Sequence, residues 1–100
     1  MYGTIALTKP KAGREADVVA HFDGWWAERG PQVKGAIGGD VRRNDSNPAE
    51  LIAVVTFESK EAYQANAADP AQDAWYRKLV EMLEKEPTWI DGEVVSRFPR

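Results

Sequence analysis

The chain has 100 residues, 43% hydrophobic and 29% charged, which is ordinary for one folded domain and excludes a disordered, collagenous or coiled-coil chain. Thirteen basic against sixteen acidic residues leave a formal charge of −3, and the basic residues form no cluster, which argues against a nucleic-acid or anionic-membrane partner. Cysteine is absent, which excludes disulfides, thiolate chemistry and cysteine-based metal sites, and no apolar run approaches the roughly 20 residues of a membrane span. Met1 leads directly into strand-like sequence, the pattern expected of a cytoplasmic protein.

Gly3 to Thr8 alternates: Ile5 and Leu7 share one face, Thr4, Ala6 and Thr8 the other, and Pro10 ends the strand. Gly13 precedes Arg14-Glu15-Ala16-Asp17, whose acids favour a helix N-terminus. Val18, Phe22, Trp25, Trp26 and Arg29 then recur on one helical face until Gly30-Pro31 closes the helix. Val33 to Arg43 reads as a second strand, and Gly35, Gly38 and Gly39 within it predict a bulge or a close backbone approach. Asn44 to Pro48 has turn composition, and Leu51 to Phe57 is the strongest strand in the chain.

Ser59 can cap a short helix from Lys60 to Ala67. Asp69 caps the next helix, with Pro70 at its first position and Gln72 where a capping-box partner belongs. Ala71, Trp75, Leu79, Met82 and Leu83 carry the apolar side of that helix, and Pro87 stops it. Trp89 to Phe98 forms a last strand, with Asp91-Gly92 a possible break. The order β-α-β-β-α-α-β over residues 1–100 predicts one α+β, ferredoxin-like domain: a four-stranded antiparallel sheet with helices on one face.

Such a sheet leaves its second face bare, and a water-exposed face should be polar. In Leu51 to Phe57, however, Leu51, Ala53, Val55 and Phe57 lie on one side and Ile52, Val54 and Thr56 on the other, so both sides are mostly apolar. The expected solution is a homodimer in which two sheets close face to face into a barrel.

Lys9-Pro10-Lys11-Ala12-Gly13, the Gly35 to Arg43 strand, Phe57 to Tyr63, Asp69 to Trp75 and Trp89 to Val94 together carry a resemblance covering almost the whole chain. On these residues the chain resembles the dimeric α/β-barrel superfamily, within or near the antibiotic-biosynthesis-monooxygenase-like group. The resemblance implies a homodimer with a pocket between helices and sheet in each protomer. Some members of the group are cofactor-independent monooxygenases of phenolic or anthrone-like substrates; others degrade haem. Relatives often carry histidines between the two later helices, where this chain has Asn66 and Ala71, and haem degraders place an Asn on the first strand, which is missing here. Haem therefore lacks an evident axial donor, and neither a cofactor nor a metal is expected.

Within that pocket the candidate residues are few. His21, the single histidine, can serve as a general base near neutral pH, or it is a half-exposed residue at the edge of the helix stripe. Phe22, Trp25, Trp26, Trp75 and Leu79 fall on or near inner helix faces and suit a planar aromatic ligand, unless they are simply core. Trp25 and Trp26 differ by about 100° around the axis, so one faces the pocket and the other its rim or the neighbouring strand. Asn66 shares a face with Tyr63 and either donates to a substrate carbonyl or caps its helix. Tyr76 is expected away from the pocket centre, and Arg42 and Arg43 are expected to be solvated or paired with Asp40 or Asp45. No nucleophile elbow or phosphate cradle is present. The leading reading is a pocket protein resembling cofactor-free monooxygenases of planar phenolic substrates. The alternative is a non-catalytic homodimeric ligand-binding or accessory protein.

Overall fold

Residues 1–99 are described by a computed structural model, which runs β1 (Tyr2–Thr8), α1 (Glu15–Glu28), β2 (Ala36–Arg43), β3 (Leu51–Phe57), α2 (Lys60–Ala67), α3 (Pro70–Glu81) and β4 (Thr88–Glu93). The sheet order is β2-β3-β1-β4, and every neighbouring pair is antiparallel. With the helices as crossovers this is the ferredoxin-like arrangement, as the element order predicts. No helix among the described residues is long and apolar enough to cross a membrane.

Two strand boundaries differ from expectation by three residues or more. β2 begins at Ala36 rather than Val33, because Gly30–Gln32 winds a 3₁₀ turn and Gly35 then reverses direction at φ 85°. β4 ends at Glu93, opposite Tyr2 of β1, rather than at Phe98; one further bond runs from the Val94 amide to the Met1 carbonyl. Asp91-Gly92 does not break the strand. The glycines of β2 behave as expected. The register shifts between Ala36 and Gly38, and a Cβ at Gly39 would strike the Val54 carbonyl of the next strand.

The caps form from the predicted residues. Ser59 Oγ accepts from the Ala62 amide at 3.1 Å, and Asp69 Oδ1 accepts from the Ala71 amide at 2.9 Å. Arg42 pairs with Asp40, whose carboxyl its hydrogen bond holds below the usual range, while Arg43 reaches Glu15 on α1 instead of Asp45.

β1 is the centre of the sheet, and it is patterned inside out. Thr4, Ala6 and Thr8 face the helices and are buried, while Ile5 and Leu7 face the open side. Thr8 is accommodated because its hydroxyl donates to the Leu51 carbonyl at 2.9 Å. The core is concentrated at one end of the helix layer, where Val18, Leu51, Leu79, Met82 and Leu83 pack together. On the open side the register aligns Ile5 with Val54 and Ile90, and Leu7 with Ile52, so the apolar residues form a contiguous stripe.

Gly39→Ala is expected to lose about 1–3 kcal/mol, because the methyl group must displace the β3 backbone. Gly24→Ala is expected to gain about 1 kcal/mol, since it lies inside α1 with open space at its Cβ. Urea denaturation of both variants checks the pair.

Candidate functional site

Small side chains make the site possible. Ala6, Ala53 and Thr4 occupy the middle of the helix-facing sheet surface, and a space opens beside Thr4. The space is a cavity of about 430 Å³. α1 supplies Phe22 and Trp25, α2 supplies Tyr63 and Asn66, and α3 supplies Gln72, Trp75 and Tyr76. The sheet supplies Thr4, Val55, Phe57, Trp89 and Asp91. A volume of this size with aromatic walls and few polar groups is typical of small-molecule sites.

Hydrogen bonds between helices fix the walls. His21 Nε2 lies 2.8 Å from the Trp75 carbonyl, and Trp75 Nε1 donates to the His21 carbonyl at 3.1 Å. The two rings stack with centroids 4.6 Å apart and planes 7° from parallel. A carbonyl only accepts, so Nε2 carries the hydrogen in this pairing. Phe22 meets the edge of Trp75 at 5.2 Å. Trp25 Nε1 donates to Gln72 Oε1 at 2.6 Å. Gln72, expected in a capping box, thus holds the pocket wall instead. Arg29 Nη2 donates to Asn66 Oδ1 at 3.2 Å and pairs with Asp69 at 3.5 Å, which ties α1 to both ends of the α2–α3 turn. With Asn66 Oδ1 so engaged, its amide nitrogen is the group left for a ligand.

The polar end of the cavity is a three-residue cluster. Register pairs Thr4 directly with Asp91, so both side chains lie on the same face. Thr4 Oγ1 donates to Asp91 Oδ1 at 2.6 Å, and the Tyr63 hydroxyl donates to the same oxygen at 3.2 Å. The Tyr63 ring is held by Tyr2 and Phe57, at 5.4 and 5.5 Å. Burial, reinforced by the negative charge of Asp91, raises the Tyr63 pKa above that of an ordinary tyrosine.

The predicted site residues separate into groups. Phe22, Trp25, Trp75 and Asn66 come together at the cavity. Trp26 does not: it is 45% exposed, packs over Gly30 and lines a smaller recess against Gly38 and Gly39. Leu79 is fully buried in the core, two helical turns beyond Gln72 and past the end of the cavity. His21 lies outside the lining, its ring turned along α3 and engaged with Trp75. Tyr76, expected away from the centre, is part of the wall and packs on Trp89 at 6.0 Å. Sequence reasoning missed Thr4, Trp89 and Asp91. Their one signal is that each stands on the helix-facing side of a strand, which only the register identifies. Among the described residues, no three His, Asp or Glu side chains gather in a way that could hold a metal.

Tyr63 is expected to ionise above the ordinary tyrosine range in an alkaline absorbance titration, and Tyr63→Phe to remove that step. A raised pKa means that the folded chain holds this proton longer than the unfolded one. Its contribution to stability is therefore complete below about pH 10 and declines as pH rises further. Denaturation midpoints across that range check the sign.

No protein-family model matches the chain, and no curated protein matches it in sequence. Solved structures do match in fold. A Caulobacter crescentus protein named as a candidate antibiotic biosynthesis monooxygenase superposes with a TM-score of 0.82 at 14% identity, covering 95% of this chain and 90% of its own. Rv0793 from Mycobacterium tuberculosis gives 0.81 at 14% identity, covering 97% of each chain. A further structure, named antibiotic biosynthesis monooxygenase, gives 0.75 at 14% identity, covering 96% of this chain and all of its own. At such identities the likeness is one of fold. This chain has the fold of the antibiotic-biosynthesis-monooxygenase-like α/β-barrel proteins.

Proposed function

We propose that the protein binds a planar aromatic or phenolic molecule in the cavity and oxidises it with molecular oxygen, without a cofactor. The supporting observation is the cavity of about 430 Å³ walled by Phe22, Trp25, Trp75 and Trp89, in a fold shared with proteins named as monooxygenases. In this reading the substrate carries an activated CH₂ group beside a ring carbonyl. Loss of a proton to solvent water leaves a carbanion, and the Asn66 amide nitrogen donates to the enolate oxygen that shares its charge. The carbanion supplies the electrons that reduce oxygen, forming a C–O bond and, after protonation, a hydroperoxide. Elimination of water from the hydroperoxide leaves a ketone, so one oxygen atom enters the product and the other leaves as water. His21 acts as a positioning residue, since its Nε2 is committed to the Trp75 carbonyl and fixes that wall.

A second reading is a ligand-binding or accessory protein without turnover. It is favoured by the absence of any histidine from the cavity lining. An oxygen electrode separates the two. With an anthrone or related phenol that quenches tryptophan fluorescence saturably, oxygen uptake is expected, and Asn66→Ala is expected to slow it roughly 10²- to 10³-fold. Saturable binding with no oxygen uptake would establish the accessory reading.

The protomer of this reading is one domain, residues 1–100, and it pairs with a second copy through the open sheet face. Ile5 and Ile90 there are 38% and 53% exposed, and Leu7, Ile52 and Val54 continue the stripe. Val54→Lys places a charge at its centre and is expected to convert a dimer to monomer in light scattering at micromolar concentration. A wild-type protein that is already monomeric there would refute the pairing.

A further inference from the structure

The proposed reading fixes the shape of the ligand but not its charge or polar pattern. The cavity walls carry that information. Among the described residues the lining contains two carboxylates, Asp73 and Asp91, and no Lys, Arg or His. Asp73 is answered by Arg77, whose Nε lies 2.9 Å from Oδ2. Arg29 is not part of the lining; its Nη2 is engaged by Asn66 and Asp69, and its Nε is buried without a partner. Asp91 has no cationic partner among the described residues. Its two hydrogen bonds, from Thr4 and Tyr63, both end on Oδ1. Oδ2 accepts none within the described chain. The carboxylate is therefore held in place by one oxygen and presents the other.

We propose that Asp91 is the specificity-determining residue of this cavity: Oδ2 accepts the hydrogen bond of a neutral hydroxyl on a planar aromatic ligand, and the charge bars aromatic carboxylates. The proposal rests on the aromatic-binding reading above. Thr4 and Tyr63 are the positioning residues. They come from the central strand and from α2, so the orientation of Asp91 depends on the packing of helix against sheet. A hydroxyl donor satisfies the open oxygen; an ether leaves it without a partner; a carboxylate meets like charge.

Isothermal titration calorimetry with three planar bicycles tests this: 7-hydroxycoumarin (at a pH that keeps it neutral), 7-methoxycoumarin and coumarin-3-carboxylate. The wild type is expected to prefer the hydroxyl compound over the ether by about 10- to 100-fold, the range for a hydrogen bond to a charged group, and to show no saturable binding of the carboxylate. Asp91→Asn is nearly isosteric. Its Oδ1 still accepts from Thr4 and Tyr63, while an NH₂ donor replaces Oδ2. This variant should reduce the hydroxyl preference to within about threefold and admit the carboxylate. Tyr63→Phe removes one support but leaves the charge, so it should weaken the hydroxyl preference and still exclude the carboxylate.

An unchanged hydroxyl-to-ether ratio in Asp91→Asn overturns the proposal and leaves aromatic binding intact, as does entry of the carboxylate into Tyr63→Phe. Failure of the wild type to bind any of the three overturns the aromatic-binding reading itself, and this proposal with it.

Discussion

The arrangement depends on the central strand burying its polar side. In β1, the threonines and alanine face the helices while Ile5 and Leu7 face outward. Two consequences follow from this one alternation. Thr4 is too small to fill the layer between helices and sheet, so the cavity lies against it where a larger residue would have closed it. The large residues stand on the face that no helix covers, so an apolar stripe is left for another surface. A reversed β1 would have closed the cavity and wetted the open face together, because a one-residue slip exchanges the faces of a strand.

The threonines are tolerated in that position because each hydroxyl has a partner. Thr8 donates to the Leu51 carbonyl, which leaves the packed end of the core free of unpaired hydroxyl groups. Thr4 donates to Asp91, which brings a carboxylate to the other end. Burial of a polar group without a partner costs several kcal/mol on apolar-transfer scales, so these pairings decide where hydroxyls can stand. The same economy runs through the helices. The indole nitrogens of Trp25 and Trp75 are both satisfied by the facing helix, and Asn66 is fixed by Arg29. Each of these bonds holds a wall residue by its polar atom and leaves its ring or amide toward the cavity. The walls are thereby preorganised, and a ligand need not order them on binding.

Much of the fold was legible in the sequence because it rests on short-range rules. Alternation marked β1, a continuous apolar and β-branched run marked β3, the Ser59 and Asp69 caps set the starts of α2 and α3, and the glycines of β2 announced the bulge and the close approach to Val54. The helical spacing also brought Phe22, Trp25 and Trp75 to one place. Leu79 shares the apolar stripe of α3 with Trp75, yet it lies in the core, because periodicity fixes a direction around the axis and not a depth along it. His21 sat at the edge of its stripe, and the edge turned out to face α3 rather than the cavity.

By itself, the sequence determined the elements, their order, the antiparallel α+β class and the need to account for a second apolar sheet face. These follow from periods of two and 3.6 residues and from caps that act over a few positions. The tertiary structure alone decided which face of β1 is inside, which aromatics form a wall, and that Thr4, Tyr63 and Asp91 meet. Those three residues come from two strands and a helix, separated by 28 to 87 positions. Strand register and helix packing bring them together, and neither leaves a trace in local periodicity.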